Sequence, residues 1–474
     1  MEKDGGRRMI LFGFILYLIL VLVIGILTYR VTKTQADFLI AGRRLNPWVT
    51  AFSERASGES AWLLLGLPGA VLVAGLVEIW TVIGCILGIA FAWWVIAKDL
   101  RIRTEKYGAL TLPEYFTRAF GLEDNRIRVL ATLIVVFFYT LYVSAQFNGA
   151  GKTLNVTFGI PHHVGILIGA CVIVFYTLLG GFFAVAWTDL FQGIIMIITL
   201  VVLPIVGWVT LVKSGLSPGF SVSSFFGNKS GWGLVAGVIG GLSWGLGYMG
   251  QPHLVTRYMA IRDPEEVRVA RTIAILWSIP AFFGAFFIGV IGRALIPHIA
   301  DAEKVMPSLA TRLFPAWFAG ILISGAIAAM MSTADSQLLV VTSAFSEDVY
   351  HRMFRRKLSP ERLVFISRVI TVMVGIGAIL LAMYSKRLIF SMVSYAWGGL
   401  GASFGPPLLL SLKWKKTTRN GVLAGMLVGA ISTVVWANIE VLESFLTARL
   451  SAFILSLLAV VVVSLWENRR GEQA

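Results

Sequence analysis

The sequence predicts an all-α integral membrane protein of about thirteen transmembrane helices, and three observations predict it. Hydrophobic residues make up 57% of the 474 positions and charged residues 14%, with a mean hydropathy of +0.82, which leaves too little polar surface for a water-soluble chain. Apolar runs of roughly 20 residues, enough to span a bilayer as helix, start near residues 9, 47, 77, 127, 163, 183, 231, 269, 317, 361, 388, 419 and 445. Helix breakers interrupt the second and the seventh of these runs, five segments apart.

Segment 1, about Met9 to Thr28, follows Lys3, Arg7 and Arg8 in the manner of a signal peptide. It has no small-residue cleavage site and is long enough to span, so it is read as a helix. Segment 2, about Pro47 to Ala74, contains Ser53-Glu-Arg-Ala-Ser-Gly-Glu-Ser60. Each charge at mid-bilayer costs about 3 kcal/mol on insertion scales, so Glu54, Arg55 and Glu59 are expected to face protein or a water-filled path and to mark an ion or substrate route. Ser57 and Gly58 weaken the helix at the same place, and irregular backbone at that depth survives only where it lines a cavity. A second set of breakers follows in Gly66-Leu-Pro-Gly69, and segment 7 carries its own in Trp244-Gly-Leu-Gly-Tyr-Met-Gly-Gln-Pro252. Breakers at matching positions of oppositely directed segments predict that segments 2 to 6 and 7 to 11, about 47–212 and 231–412, form an inverted repeat within a single domain. A binding site then falls at mid-membrane, where broken helices offer carbonyls to a cation and amino-terminal ends to a carboxylate. Glycines of this kind also serve plain close packing of helices.

Segment 9 supplies hydroxyls in Ala329-Met-Met-Ser-Thr-Ala-Asp-Ser-Gln337, where Ala329, Ser332, Thr333 and Ser336 share one helical face. Two hydroxyls, with carbonyls from this helix and from segment 2, provide the oxygen ligands of a small hard cation, for which sodium is the natural occupant. A Ser/Thr face is otherwise ordinary glue between helices. Asp335 is expected to help neutralise the cation or to pair with a base such as Arg55. Asp189, in Trp187-Thr-Asp189 near the inner end of segment 6, either assists from the cytoplasmic side or caps that helix. The polar stretches from about Lys98 to Arg128 and from Pro297 to Pro315 read as loops with short amphipathic helices. Cys85 and Cys171, in apolar runs of different segments, read as buried, inert thiols.

Retained cytoplasmic loops are enriched in Lys and Arg. Thirteen spans with the amino terminus outside and the carboxyl terminus cytoplasmic place Arg352, Arg355, Arg356 and Lys357, and also Lys413, Lys415 and Lys416, on the inner face of the cell inner (plasma) membrane. Lys3, Arg7 and Arg8 argue the other way. Topology and anionic headgroups account for the net charge of +15, so no nucleic-acid partner is needed. There is no glycine-rich phosphate loop and no metal cluster, and His162 and His163 are the only adjacent pair of the five histidines. The chain is therefore expected to be a transporter rather than an enzyme, with no cofactor beyond a coupling ion. Its expected partners are a small-molecule substrate, sodium and the lipid bilayer, with no obligate protein partner.

The chain resembles the sodium/solute symporter family, and within it the sodium/proline symporters, from about Asp37-Phe-Leu-Ile-Ala-Gly-Arg43 to the end of segment 12. The likeness is carried, in order, by Trp62-Leu-Leu-Leu-Gly-Leu-Pro-Gly-Ala70, Ala109-Leu-Thr-Leu-Pro-Glu-Tyr-Phe116, Gly180-Gly-Phe-Phe-Ala-Val-Ala-Trp-Thr-Asp189, Trp244-Gly-Leu-Gly-Tyr-Met-Gly-Gln-Pro-His253, Met331-Ser-Thr333 with Gln337-Leu-Leu339, Glu347-Asp-Val-Tyr350 and Ser394-Tyr-Ala-Trp397. It implies a five-plus-five inverted-repeat transporter fold with one helix before and two after. It also implies sodium-coupled import of L-proline or a related small amino acid by alternating access. Carried over by position, the sodium site comprises Ala56 and Glu59, through backbone carbonyls, with Ala329, Ser332 and Thr333. Substrate contacts fall on Ser60, Ala61, Tyr142, Gln146, Trp244, Tyr248 and Pro252.

At the site the chain departs from that pattern. Proline symporters carry an aspartate directly after the Ala-Ser pair, where this chain has Gly58, and an apolar residue next, where it has Glu59. The acid has moved by one position, so Glu59 joins Asp189 and Asp335 as a candidate ion-coupling carboxylate, or carries a proton itself. Two further readings follow: the same fold coupled to protons or moving another organic solute, and a membrane solute sensor. Such sensors usually carry a long cytoplasmic extension, whereas this sequence stops at Ala474.

Overall fold

The computed structural model describes residues 2–29, 34–120, 125–179, 181–219, 225–227, 230–345, 360–385 and 387–471. Gly180, the Glu347-Asp-Val-Tyr350 motif and the basic cluster Arg352, Arg355, Arg356 and Lys357 lie outside the described residues. Among those described, the regular structure is helical, with one isolated parallel bridge between Leu45 and Ile261.

Segment 1 is Glu2–Tyr29; segment 2 is Pro47–Gly58 followed by 62–74; segment 3 is 79–106; segments 4, 5 and 6 are Asn125–Phe158, His162–Leu179 and Phe182–Lys213. Segment 7 is Gly231–Met249 followed by Pro252–Ala260, and segments 8 to 11 are Val267–Leu295, Ala316–Ser343, Pro360–Tyr384 and Ile389–Lys413. Segments 12 and 13 are Arg419–Ala437 and Ala448–Gly471. By length and composition, ten helices among the described residues can cross a membrane, fewer than the thirteen runs read from the sequence. The shortfall has local causes. Charges dilute the first half of segment 2, its second half runs on toward segment 3 as one helical stretch, Trp62–Lys106, segment 5 offers only the short apolar helix His162–Leu178, and Gly, Ser and Pro dilute segment 11.

Segment 2 starts where the Asn46 side chain accepts the Val49 N–H at 3.0 Å and Pro47 takes the first helical position. It stops after Gly58 because Glu59 leaves helical geometry (φ −105°, ψ 51°), and Ser60 carries no helix. The second set of breakers, Gly66-Leu-Pro-Gly69, does not interrupt the chain as the sequence suggested. Residues 62–66 form one wide turn, and Pro68 falls at the beginning of the helix that continues, where its missing N–H matters least. The chain bends instead at Gly75, whose φ of 83° suits glycine. Segment 7 tightens into a 3-10 stretch over Ser243–Met249, breaks at Gly250 and Gln251, and restarts at Pro252.

The bridge joins the two broken segments. Leu45 N–H donates to the Ala260 carbonyl at 3.2 Å, and Arg262 N–H donates to the Leu45 carbonyl at 2.9 Å. The start of segment 2 thus lies beside the end of segment 7, and the two run antiparallel. Segment 3 packs backbone to backbone on segment 7: a Cβ added at Gly245 would stand 2.2 Å from the Gly84 carbonyl oxygen. Gly245→Ala is therefore expected to lower the thermal midpoint of the detergent-solubilised protein, by the roughly 1–3 kcal/mol that overpacking costs. A midpoint equal to that of the parent chain would show that this approach has slack.

On one face of the bundle, the connection between segments 8 and 9 is tied down by Glu303. Its carboxylate accepts Lys152 Nζ at 2.7 Å and the backbone N–H groups of Ile389 and Phe390 at 3.0 and 2.9 Å, at the start of segment 11 where an anion is favoured. Short helices at Leu112–Ala119 and Val305–Leu313 occupy the two polar stretches, as expected. Cys85 is buried, but Cys171 is exposed, which corrects the reading of both as interior thiols. In a membrane bundle an apolar run faces lipid as readily as protein, so apolar neighbours in sequence do not fix burial.

Candidate transport site

Where segment 2 breaks, its last carbonyls lose their helical N–H partners. Segment 9 supplies replacements. Ser332 Oγ donates to the Ala56 carbonyl at 2.9 Å and lies 3.2 Å from the Ala329 carbonyl, and Thr333 Oγ1 donates to the Ser57 carbonyl at 2.9 Å. His253 reinforces the same end, its Nε2 3.2 Å from the Ser57 carbonyl and its Nδ1 2.8 Å from the Tyr139 hydroxyl. Ala56, Ala329, Ser332 and Thr333 are thus brought together, fully buried, while the Glu59 side chain turns elsewhere.

Two buried charge networks flank this cluster. In the first, Arg55 pairs with both oxygens of Glu54 and, through Nη1 at 2.7 Å, with Glu59 Oε1. Glu54 also accepts Trp93 Nε1–H at 3.1 Å and the Tyr258 hydroxyl at 3.2 Å, whereas among the described residues Glu59 receives only the Tyr248 hydroxyl besides Arg55, at 3.0 Å. Glu54 takes two bonds from Arg55 and Glu59 one, so this network sets two buried acids against one base, with Glu59 the less satisfied of the two. In the second network, Arg257 Nη2 bonds Asp189 Oδ2 at 3.0 Å and Ser57 Oγ at 2.8 Å, and Ser53 Oγ donates to Asp189 at 2.6 Å. Arg257 also reaches Ser336 Oγ, linking segments 2, 6, 7 and 9.

These contacts revise two expectations. Asp335 does not pair with Arg55; its Oδ1 accepts the neighbouring Ser336 hydroxyl at 3.3 Å. Asp189 does not cap segment 6, because Gly181 holds the cap position and Asp189 lies more than a turn inside the helix. Asp189 Oδ1 and Asp335 Oδ2 have no hydrogen-bond partner among the described residues. Among the described residues Arg257 is the one base within salt-bridge distance of Asp189, and none stands at that distance from Asp335, so this network too sets two buried acids against one base.

The residues assigned to substrate converge on the two breaks. Ala61 N–H, the first free donor of the resumed segment 2, goes to Gln146 Oε1 at 2.9 Å, and Ser60 Oγ lies 3.4 Å from the Tyr142 hydroxyl. Trp244 stacks on Trp62 with centroids 4.7 Å apart, and Tyr248 meets Trp397 edge-on at 4.7 Å. Pro252 opens the second half of segment 7. Trp397 donates its Nε1–H to the Trp244 carbonyl at 3.0 Å, and it fits only because Gly247 lacks a side chain: a Cβ there would stand 1.8 Å from that nitrogen. Sequence reasoning named Trp397 and His253 only within motifs and missed Arg257, Tyr139, Trp93 and Tyr258. Arg257 carries the same signal as Arg55, a charge in an apolar segment, but it stands near the end of segment 7, where basic residues are common.

Antiparallel broken helices meeting a hydroxyl-bearing helix inside a multi-pass bundle define a secondary transporter of the membrane. Residues 38–429 match the family model described as the sodium:solute symporter family, and the chain belongs to that family. Among its relatives, the high-affinity proline transporter PutP of Bacillus subtilis (strain 168) is 42% identical over 94% of this chain and 95% of its own length. The sodium/proline symporter of Escherichia coli (strain K12) is 37% identical over 97% of this chain and 95% of its own. The solved structure of a Na+-coupled sialic acid symporter superposes with a TM-score of 0.77 at 21% identity, covering 97% of both chains. A closed conformation of Mhp1, a nucleobase-cation-symport-1 family transporter, gives 0.53 at 14% identity over 91% of this chain and 96% of its own.

Proposed function

We propose that the protein is a sodium-coupled symporter that imports L-proline or a closely related small amino acid by alternating access. The observation that carries this reading is the bonding of Ser332 and Thr333 to the carbonyls of Ala56 and Ser57 at the break in segment 2. Sodium binds by taking those oxygens as ligands, with Ala329 and the Glu59 carbonyl completing the set. The substrate occupies the space bounded by Ser60, Ala61, Tyr142, Gln146, Trp244, Tyr248 and Pro252, with aromatic faces over its ring and the resumed end of segment 2 toward its carboxylate. Proline transport by the Bacillus subtilis and Escherichia coli relatives supports this substrate class.

Sodium tying segment 2 to segment 9 favours the conformation that binds substrate, which is how an ion gradient drives uptake. Each positive charge moved inward gains about 2.3 kcal/mol per 100 mV, besides its concentration term. The repeats, about 47–212 and 231–412, rock against each other around the site, with the amino terminus outside and the carboxyl terminus in the cytoplasm. Asp335 helps neutralise the cation, and Asp189 assists from the cytoplasmic side. Proton coupling is the second reading, favoured by the full burial of Glu59, which shares the single base Arg55 with Glu54.

Radiolabelled proline uptake into proteoliposomes tests both. Accumulation under an inward sodium gradient at equal pH is expected. Accumulation driven by a pH gradient without sodium would transfer the coupling to protons, and uptake of a different amino acid in place of proline would replace the substrate.

A further inference from the structure

We propose that Arg449 is the residue that receives the substrate's carboxylate on its way to the aromatic site. The inference rests on the transport reading above and adds a residue that the family pattern does not cover, since that pattern ends at residue 429.

Arg449 belongs to the first turn of segment 13, outside the paired repeats, yet its side chain reaches into the bundle. Its guanidinium lies over the Trp244 ring, 4.7 Å from the centroid, on a ring that also stacks against Trp62. Its polar contacts are neutral: Nε reaches Ser243 Oγ at 3.3 Å, Nη2 the Gly240 carbonyl at 3.0 Å, and Nη1 the Ser394 hydroxyl. These three bonds leave two of its five N–H groups unused. Among the described residues no carboxylate stands within salt-bridge distance; Glu78 and Glu443 attract it only from farther off. Arg55 and Arg257, by contrast, are each locked to an acid.

A partly buried guanidinium with an unused N–H on each terminal nitrogen is well shaped to take a carboxylate by two hydrogen bonds. The resumed end of segment 2, which takes the carboxylate in the final site, has its Ala61 N–H bonded to Gln146 and its Trp62 N–H 3.4 Å from Ser60 Oγ, so it accepts a carboxylate only after those bonds are exchanged. A carboxylate arriving at Trp244 therefore meets Arg449 first. The substrate's amine then passes Trp244 toward Tyr248, one turn further along segment 7, whose hydroxyl donates to the buried acid Glu59.

The test compares proline with prolinamide, which keeps the ring and the amine but lacks the carboxylate. Arg449→Gln and Arg449→Lys are reconstituted beside the parent chain and Arg470→Gln, which removes the same charge from the outer surface of the same helix. Half-saturating proline is expected to rise about tenfold or more in Arg449→Gln and less in Arg449→Lys, the span of one charge-assisted hydrogen bond. Inhibition by prolinamide is expected to stay within twofold of the parent, and Arg470→Gln to match the parent throughout. Equal shifts for proline and prolinamide, or none for either, would overturn the inference, because a purely structural tie among segments 7, 11 and 13 does not distinguish acid from amide. Melting curves of the purified variants separate misfolding, which lowers both affinities together. If the parent chain transports another amino acid, the substrate reading fails separately, and the same comparison is made on that amino acid and its amide.

Discussion

Replacing Arg55 by alanine is expected to remove about 3–5 kcal/mol of stability, enough to deplete the protein from the membrane, because breaking a buried ion pair leaves carboxylates with neither water nor counter-charge. Both partners, Glu54 and Glu59, are fully buried with it, so the loss falls on two acids at once. Glu59→Gln is expected to behave differently. The Glu54–Arg55 pair survives, and the amide oxygen still accepts the Tyr248 hydroxyl, so its stability should stay within about 1 kcal/mol of the parent. Thermal unfolding of the two purified variants measures this asymmetry. Similar melting of Arg55→Ala and the parent would mean that the triad does not hold two charged acids.

The second large effect concerns the ion. Ser332→Ala with Thr333→Ala removes two hydroxyls that reach the carbonyls of Ala56 and Ser57. The sodium concentration for half-maximal uptake is expected to rise at least tenfold, about 1.4 kcal/mol, since each lost oxygen ligand weakens a cation that has few others. Sodium-induced thermal stabilisation should fall in parallel, because a ligand stabilises only in proportion to its occupancy of the folded state. An unchanged sodium requirement in the double variant would remove Ser332 and Thr333 from the ion site.

The outlines of the fold were legible because hydropathy and helix breakers are local signals. Apolar length located the segments, and the Ser57-Gly58 and Gly247–Gly250 stretches lie at or within a turn of the actual breaks in segments 2 and 7. Gly66-Leu-Pro-Gly69 misled for a local reason too: proline near the start of a resumed helix is tolerated, and only its place after the wide turn reveals that. The hydroxyl face of segment 9 was readable from spacing alone. The charge partners were not, since the choice of Glu54 and Glu59 over Asp335 for Arg55 is made between side chains near and far in sequence by three-dimensional packing. Arg449 was invisible for the same reason. Nothing in its neighbours along the chain announces that a residue at the edge of segment 13 ends up over Trp244.

The clasp of Leu45 onto Ala260 and Arg262 gives the first half of segment 2 and the second half of segment 7 a common footing. Two rods fixed at one base share a fulcrum, so leaning one leans the other. An ion held between segments 2 and 9, with no ligand from segment 7, can therefore steer both, and the joints at Glu59 and Gly250 let the opposite halves stay still while it does.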